Sequence, residues 1–216
     1  MIKVYEFCGM IGSGKTYIAK KMMNETRTNV VYLPFAKRLK EYLSVLDVYK
    51  NFPVDVDELF SYQRWLNLLE MINKDGVIEL DIGAYDKFKR LFWERFFDVK
   101  PKNVSRFVMQ LFGTDFIRGY DENYWTKTVV NQIKDLVDKG DYEVYIDDYR
   151  FFNEDLKFLD DGKNIIVERI KVVADKETIL RRLMITESEY MDILGHRSEQ
   201  YIIYDLLPYD RIIENN

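Results

Sequence analysis

Eight residues near the start of the chain, Gly9-Met10-Ile11-Gly12-Ser13-Gly14-Lys15-Thr16, satisfy the pattern G-x-x-x-x-G-K-[ST] in full. The spacing suits phosphate binding. Glycines let successive backbone N–H groups turn inward, a following helix N-terminus adds positive potential, the lysine reaches the outer phosphates and the hydroxyl is offered to Mg²⁺. Gly12, Ser13, Gly14, Lys15 and Thr16 are therefore expected to hold a nucleoside triphosphate, read here as ATP, with Lys15 on the transferring phosphate and Thr16 on the metal. Such a metal also calls for a carboxylate at the end of a nearby strand, and "EVYIDDYR" supplies Asp147 and Asp148. Alternation along a strand sends the two to opposite sides, so only one of them should face the metal.

Elements around the motif are of the kind it requires. "IKVYEFC" (2–8) is apolar, β-branched and aromatic and ends at Gly9, as a buried strand does, and a helix should follow from Lys15 to Glu25 with Ile18, Ala19 and Met22 inward. "NVVYLPF" reads as a second strand stopped by Pro34, and "AKRLKEYLSVL" as the next helix. Helical spacing then runs almost unbroken to about residue 139. Strands return at "YEVYIDD" (142–148), "NIIVERIKVV" (164–173) and "DRIIEN" at the C-terminus. Alternating strands and helices predict an α/β fold: a three-layer sandwich on a mainly parallel five-stranded sheet, with a helical insertion over about 47–139 and a lid region over about 170–200. Phe88, Phe92 and Phe96 recur at i, i+4 and i+8, the mark of a packed helix face.

In open α/β sheets ligands bind beyond the carboxyl ends of the strands. Arg150, Asn153 and Glu154 follow the third strand, and Lys37 and Lys40 follow the second. From the helical interval, Arg106, Gln110 and Thr114 share a helix side if the helix persists to Gly113, with Arg118 just beyond. "YLPFAK" carries no carboxylate that could serve as base toward a hydroxyl, which tilts the reading to an acceptor already ionised, a phosphate. Arg169, Lys171, Lys176, Arg181 and Arg182 are candidates for a charge-neutralising lid, although adjacent Arg181 and Arg182 cannot point the same way. His196, the one histidine, is read as structural.

With 216 residues and 47% apolar side chains, the chain reads as a single domain with a core of its own. Net charge of -5 argues against a nucleic-acid partner, and no run approaches the length that would span a membrane. Cys8, the sole cysteine, excludes an internal disulfide and is read as a small core residue; a cytoplasmic setting fits. No helix follows the last candidate strand, so the sheet edge is expected to be covered by another subunit, as in a homodimer.

Several stretches together resemble the deoxynucleoside monophosphate kinases of tailed bacteriophages, within the wider nucleoside monophosphate kinase group: "GMIGSGKT", "FAKRLKEYL", "RFVMQLFGTDFIR" with Trp125 after it, "DDYRFFNE" and "HRSE", in the family's order. The resemblance implies a P-loop kinase that passes the ATP γ-phosphate to a deoxynucleoside 5′-monophosphate, with Mg²⁺. It selects Asp148 over Asp147 as the metal-side carboxylate and makes Lys15, Arg118, Arg150 and Asp148 the catalytic set. Lys37, Gln110, Arg118, Trp125, Arg150, Asn153 and Glu154 become the acceptor side, and Arg169, Arg181 and Arg182 the lid. A kinase for another small acceptor, such as a nucleoside, and an ATP-responsive switch are the alternatives. Residues 47–100 match no motif of the family, although Arg64, Arg90 and Arg95 could add acceptor contacts.

Overall fold

A computed structural model describes residues 1–48, 59–99, 104–195 and 197–216. The backbone divides into two compact units, Met1–Phe35 with Val129–Asn216, and Ala36–Thr128. Each forms its own core.

The first unit is built on a five-stranded sheet with spatial order β2-β3-β1-β4-β5. Its strands are β1 (Ile2–Cys8), β2 (Asn29–Tyr32), β3 (Tyr142–Ile146), β4 (Ile165–Val173) and β5 (Arg211–Glu214), and every pairing is parallel. Together with the helices this is the expected α/β sandwich, all parallel rather than mainly so. The central place of β1 explains its composition. Val4 lies level with Val144 on one side and Val167 on the other, and all three are fully buried. Helix α1 (Lys15–Glu25) lays Ala19 on Phe7, Tyr145, Ile170 and Val172, with Ile18, Met22 and Met23 around the edge, so its inner face is the one the spacing indicates. Cys8 is buried, and burial pushes its thiol up to about 11, leaving it an inert core group.

Three short helices belong to the last third of this unit: α7 (Lys176–Leu183), α8 (Glu187–Leu194) and α9 (Arg197–Ile203). Side-chain caps fix the starts of α7 and α8. Asp175 accepts from the Thr178 amide at 2.6 Å, and Thr186 and Glu189 form a reciprocal capping box.

Within the second unit, α2 (Phe35–Val45), α3 (Tyr62–Lys74), α4 (Gly83–Val99) and α5 (Val104–Gln110) precede α6 (Tyr124–Lys134), which runs on into the first unit. Its core is aromatic. Trp65 and Phe88 rings are 5.1 Å apart, and Phe88 meets Phe112 and Phe116 edge-on at 5.4 and 5.2 Å. The Phe88, Phe92 and Phe96 row is thus a packing face, with Phe92 stacked on Phe96 at 5.2 Å. One departure from the sequence pattern stands out: Leu111–Ile117 continues α5 as a π-helix. Wider turns break the i, i+4 spacing between Gln110 and Thr114, which depended on an α-helix persisting to Gly113. Among the described residues no helix is long and apolar enough to cross a membrane.

Candidate functional site

The loop between β1 and α1 has the backbone that its glycines allow. Gly9 sits at φ 144° against β4, where a Cβ would fall 2.2 Å from the Val172 carbonyl oxygen. Gly14 is left-handed at φ 90° as the residue before α1, and a Cβ there would meet the Asn215 amide nitrogen at 2.1 Å. No acidic residue of the helix itself occupies the first turn of α1. Lys15 is 7% exposed and donates from Nζ to the carbonyls of Gly9 at 2.7 Å and Met10 at 2.9 Å. Burial, and after it the nearby Arg150 guanidinium, brings its ammonium down to about 8. Ser13 is fully buried, and its hydroxyl has no hydrogen-bond partner among the described residues.

Thr16 donates its hydroxyl to Asp147, not to Asp148. Alternation along β3 explains why. Glu143, Tyr145 and Asp147 share a face, and Tyr145 packs against Ala19 of α1, so Asp147 emerges beside the start of that helix. Tyr32 hydrogen-bonds the same carboxylate. Asp148, expected beside the metal, turns instead to the Phe35 amide at 2.8 Å and caps the start of α2. Of the two adjacent carboxylates, Asp147 is the one hydrogen-bonded to the loop threonine.

Arg150 leaves β3 with its guanidinium on Glu199 of α9 at 2.8 Å. Glu154, expected on an acceptor, is 3% exposed and closes its own turn, accepting from the amides of Arg150 at 2.9 Å and Phe151 at 3.1 Å. Asn153 stands half-buried in the same turn. Arg169 is no lid residue. It lies within β4 and is held by Asp155 and Asp210, each at 3.0 Å. Lys171, also in β4, pairs with Asp205, and Lys176 with Glu187. Arg181 and Arg182 do diverge: Arg181 turns to Thr178 of its own helix, whereas Arg182 reaches the carbonyls of Ser13 at 3.3 Å and Asn215 at 2.8 Å, backing the loop. Asn215 adds a bond to the Ser13 carbonyl at 2.8 Å.

The remaining acceptor candidates belong to the second unit. Lys37 and Gln110 are exposed, and Arg118 ends the π-helix, half-buried. Trp125 is a core residue whose indole N–H donates to the Gly113 carbonyl at 3.0 Å while its ring meets Tyr124 at 4.9 Å, which leaves it no face for a ligand. Arg64 pairs with Asp47 at 3.3 Å, and Arg90 and Arg95 are exposed. His196 and the side chain of Arg106 lie outside the described residues.

The structure thus gathers Lys15, Thr16, Asp147, Arg150 and Glu199 at the carboxyl ends of β1 and β3. Glu199 and Asn215 were not singled out by sequence reasoning, and Asp147 was named only as the alternative to Asp148. Asp147 was available in the strand alternation, Glu199 only as the last letter of "HRSE", and Asn215 gave no signal at all.

No family model matches the sequence. A comparison with curated proteins gives no match. Among solved structures, the chain is similar to TT1252 from Thermus thermophilus at 14% identity and TM-score 0.42, covering 100% of this chain and 88% of that one. It is similar to an uncharacterised protein from Eubacterium ventriosum at 15% identity and TM-score 0.36, again over 100% and 88%. At these values neither likeness carries an argument about the site, whose reading rests on its own residues.

Proposed function

We propose that the protein is an ATP-dependent kinase that transfers the γ-phosphate to a deoxynucleoside 5′-monophosphate. Support comes from one observation above the others: Lys15, Thr16, Asp147 and Arg150 converge on a loop of glycine-permitted geometry at the ends of parallel strands. The amides of the loop and of the first turn of α1 hold the donor phosphates, and Lys15 gives up its two carbonyls to meet the one that moves. Arg150 holds the acceptor phosphate. An acceptor oxygen forms the new bond to the γ-phosphorus as the bond to the β,γ-bridging oxygen breaks, and the electron pair leaves with ADP. The acceptor oxygen is already ionised, so no side chain need remove a proton, which fits the absence of a carboxylate after β2.

Mg²⁺ fits the residues present. Thr16 and Asp147 offer adjacent hard oxygens, and no cluster of three carboxylate, histidine or cysteine ligands occurs among the described residues. An ion that keeps its waters and shares the substrate phosphates needs no more than that from the protein. Bound there, it would supply charge neutralisation on the phosphates. The resemblance in "QLFGTD", "DDYRFFNE" and "HRSE" supports the deoxynucleotide acceptor.

ADP release from Mg-ATP, measured against the four deoxynucleoside monophosphates, the matching ribonucleotides and two nucleosides, tests the proposal. Strong stimulation by one or more deoxynucleoside monophosphates is expected. ATP binding without stimulation by any of them would overturn it.

A further inference from the structure

Two cations destined for phosphate, Lys15 and Arg150, stand close enough for the second to depress the first. A carboxylate that binds one of them and also grips the loop of the other offsets that repulsion, and Glu199 is so placed. Its carboxylate is 3% exposed, with Oε1 accepting from the Arg150 guanidinium at 2.8 Å and Oε2 from the Ile11 amide of the loop at 3.0 Å. Its charge also opposes the depression of Lys15. One side chain thereby bridges the segment after β1 and the segment after β3.

Its own element is fastened to the second of these. Two residues along α9, the Tyr201 ring stands edge-on to Phe151 at 5.7 Å and to Phe152 at 5.5 Å. Glu154 grips the amides of Arg150 and Phe151 in the same turn. Arg150 is thus set at both ends, its backbone by Glu154 and its guanidinium by Glu199.

We propose that Glu199 is a positioning residue that couples Arg150 to the phosphate loop, so that the acceptor arginine and the donor lysine are assembled together before either nucleotide arrives. The inference rests on the kinase reading above. Its chemical requirement is specific: both partners of Glu199 are donors, so the side chain must present two acceptors. Glutamine in the same pose presents an acceptor to one partner and a donor to the other, because the two donors address different oxygens.

The test compares wild type, Glu199→Gln, Arg150→Ala and the double variant by steady-state ADP release, varying ATP and the deoxynucleoside monophosphate separately. Thermal melts confirm that each is folded. Glu199→Gln is expected to lower kcat/KM for the acceptor about 10- to 100-fold while KM for ATP moves less than about threefold, and the double variant is expected to be no worse than Arg150→Ala alone. Losses that multiply in the double variant, or fall equally on ATP and acceptor, would overturn the inference and leave the kinase reading intact. Wild type that shows no acceptor stimulation would take down the kinase reading and this inference with it. Glu199→Asp, which keeps the charge but not the reach, serves for the same cycle if Glu199→Gln does not fold, with the same coupling expected.

Discussion

Each unit contains a dense polar cluster, and the two clusters use similar side chains to opposite ends. In the helical unit, Asp75 takes a paired contact from Arg38 at 2.8 and 2.5 Å and hydrogen bonds from Tyr42 and Tyr124, while Arg38 adds Glu41 at 2.7 Å. The Asp75 carboxylate raises the proton affinity of the guanidinium, and burial does the same to the two phenols. Charge there is matched by charge, inside an aromatic core. In the sheet unit, Lys15 donates to two neutral carbonyls and is pulled down to about 8 by burial despite the nearby Glu199 and Asp147 charges, and Ser13 keeps a buried hydroxyl without a partner among the described residues. A cluster that is electrostatically complete holds a fold together. One that is left with unmet positive potential at a helix N-terminus is arranged for an anion.

Breaking the second cluster at its lysine should produce the largest effect. Lys15→Ala is expected to cut turnover by at least about a thousandfold while leaving the melting temperature unchanged or higher, because an alanine has no buried charge to desolvate. A near wild-type rate would refute the proposed mechanism. The mirror experiment is Asp75→Ala, expected to destabilise the protein by about 3 kcal/mol in denaturant melts by leaving Arg38 and two phenols without their common partner. A loss of turnover without loss of stability would show that the helical cluster is no mere brace. Next comes the carboxylate pair. Asp147→Asn should lower kcat about a hundredfold and raise the Mg²⁺ requirement, whereas Asp148→Asn, which still offers an acceptor to Phe35, should cost less than about tenfold. The reverse order would restore Asp148 to the metal.

The smallest signal is a proton. With the folded value near 8 and the free value near 10.5, the native chain holds fewer protons than the unfolded chain between the two. Stability contributed by this group therefore rises with pH across that window and is absent below it. Phosphate favours the ammonium and should draw the proton back. Calorimetric titration with a non-hydrolysable ATP analogue at about pH 8.5, in buffers of different ionisation enthalpy, should show uptake of a fraction of a proton, vanishing in Lys15→Met and near pH 6.5. Equal heats in all buffers would mean that Lys15 is already fully charged.

Much of the fold was open to reading because its signals are local. Runs such as "IKVYEFC" and "NIIVERIKVV" are rich in β-branched and aromatic residues and end at turn signals, as strands do, and they form β1 and β4. The loop motif was equally plain, since eight consecutive residues carry it. Glu6 shows where local reading stops. As a charged residue in a strand it suggests an exposed face, yet it is fully buried, burial pushing its carboxyl well above the usual carboxylate range while its oxygens accept from the Leu156 amide at 3.2 and 3.1 Å. Only the partner supplied by a distant turn makes that position tolerable.

The sequence by itself determined the α/β class, the positions of all five strands, and the lysine and hydroxyl of the loop, because short-range spacing and backbone permissiveness specify them. Tertiary structure alone decided which of two adjacent aspartates meets Thr16, that Arg169 is clamped within β4, that Trp125 is core, and that Glu199 ties Arg150 to the loop. Each of those depends on which elements become neighbours across more than a hundred residues in some cases, as for Thr16 with Asp147 and Ile11 with Glu199. Spacing along the chain does not encode which face of a strand a helix will cover.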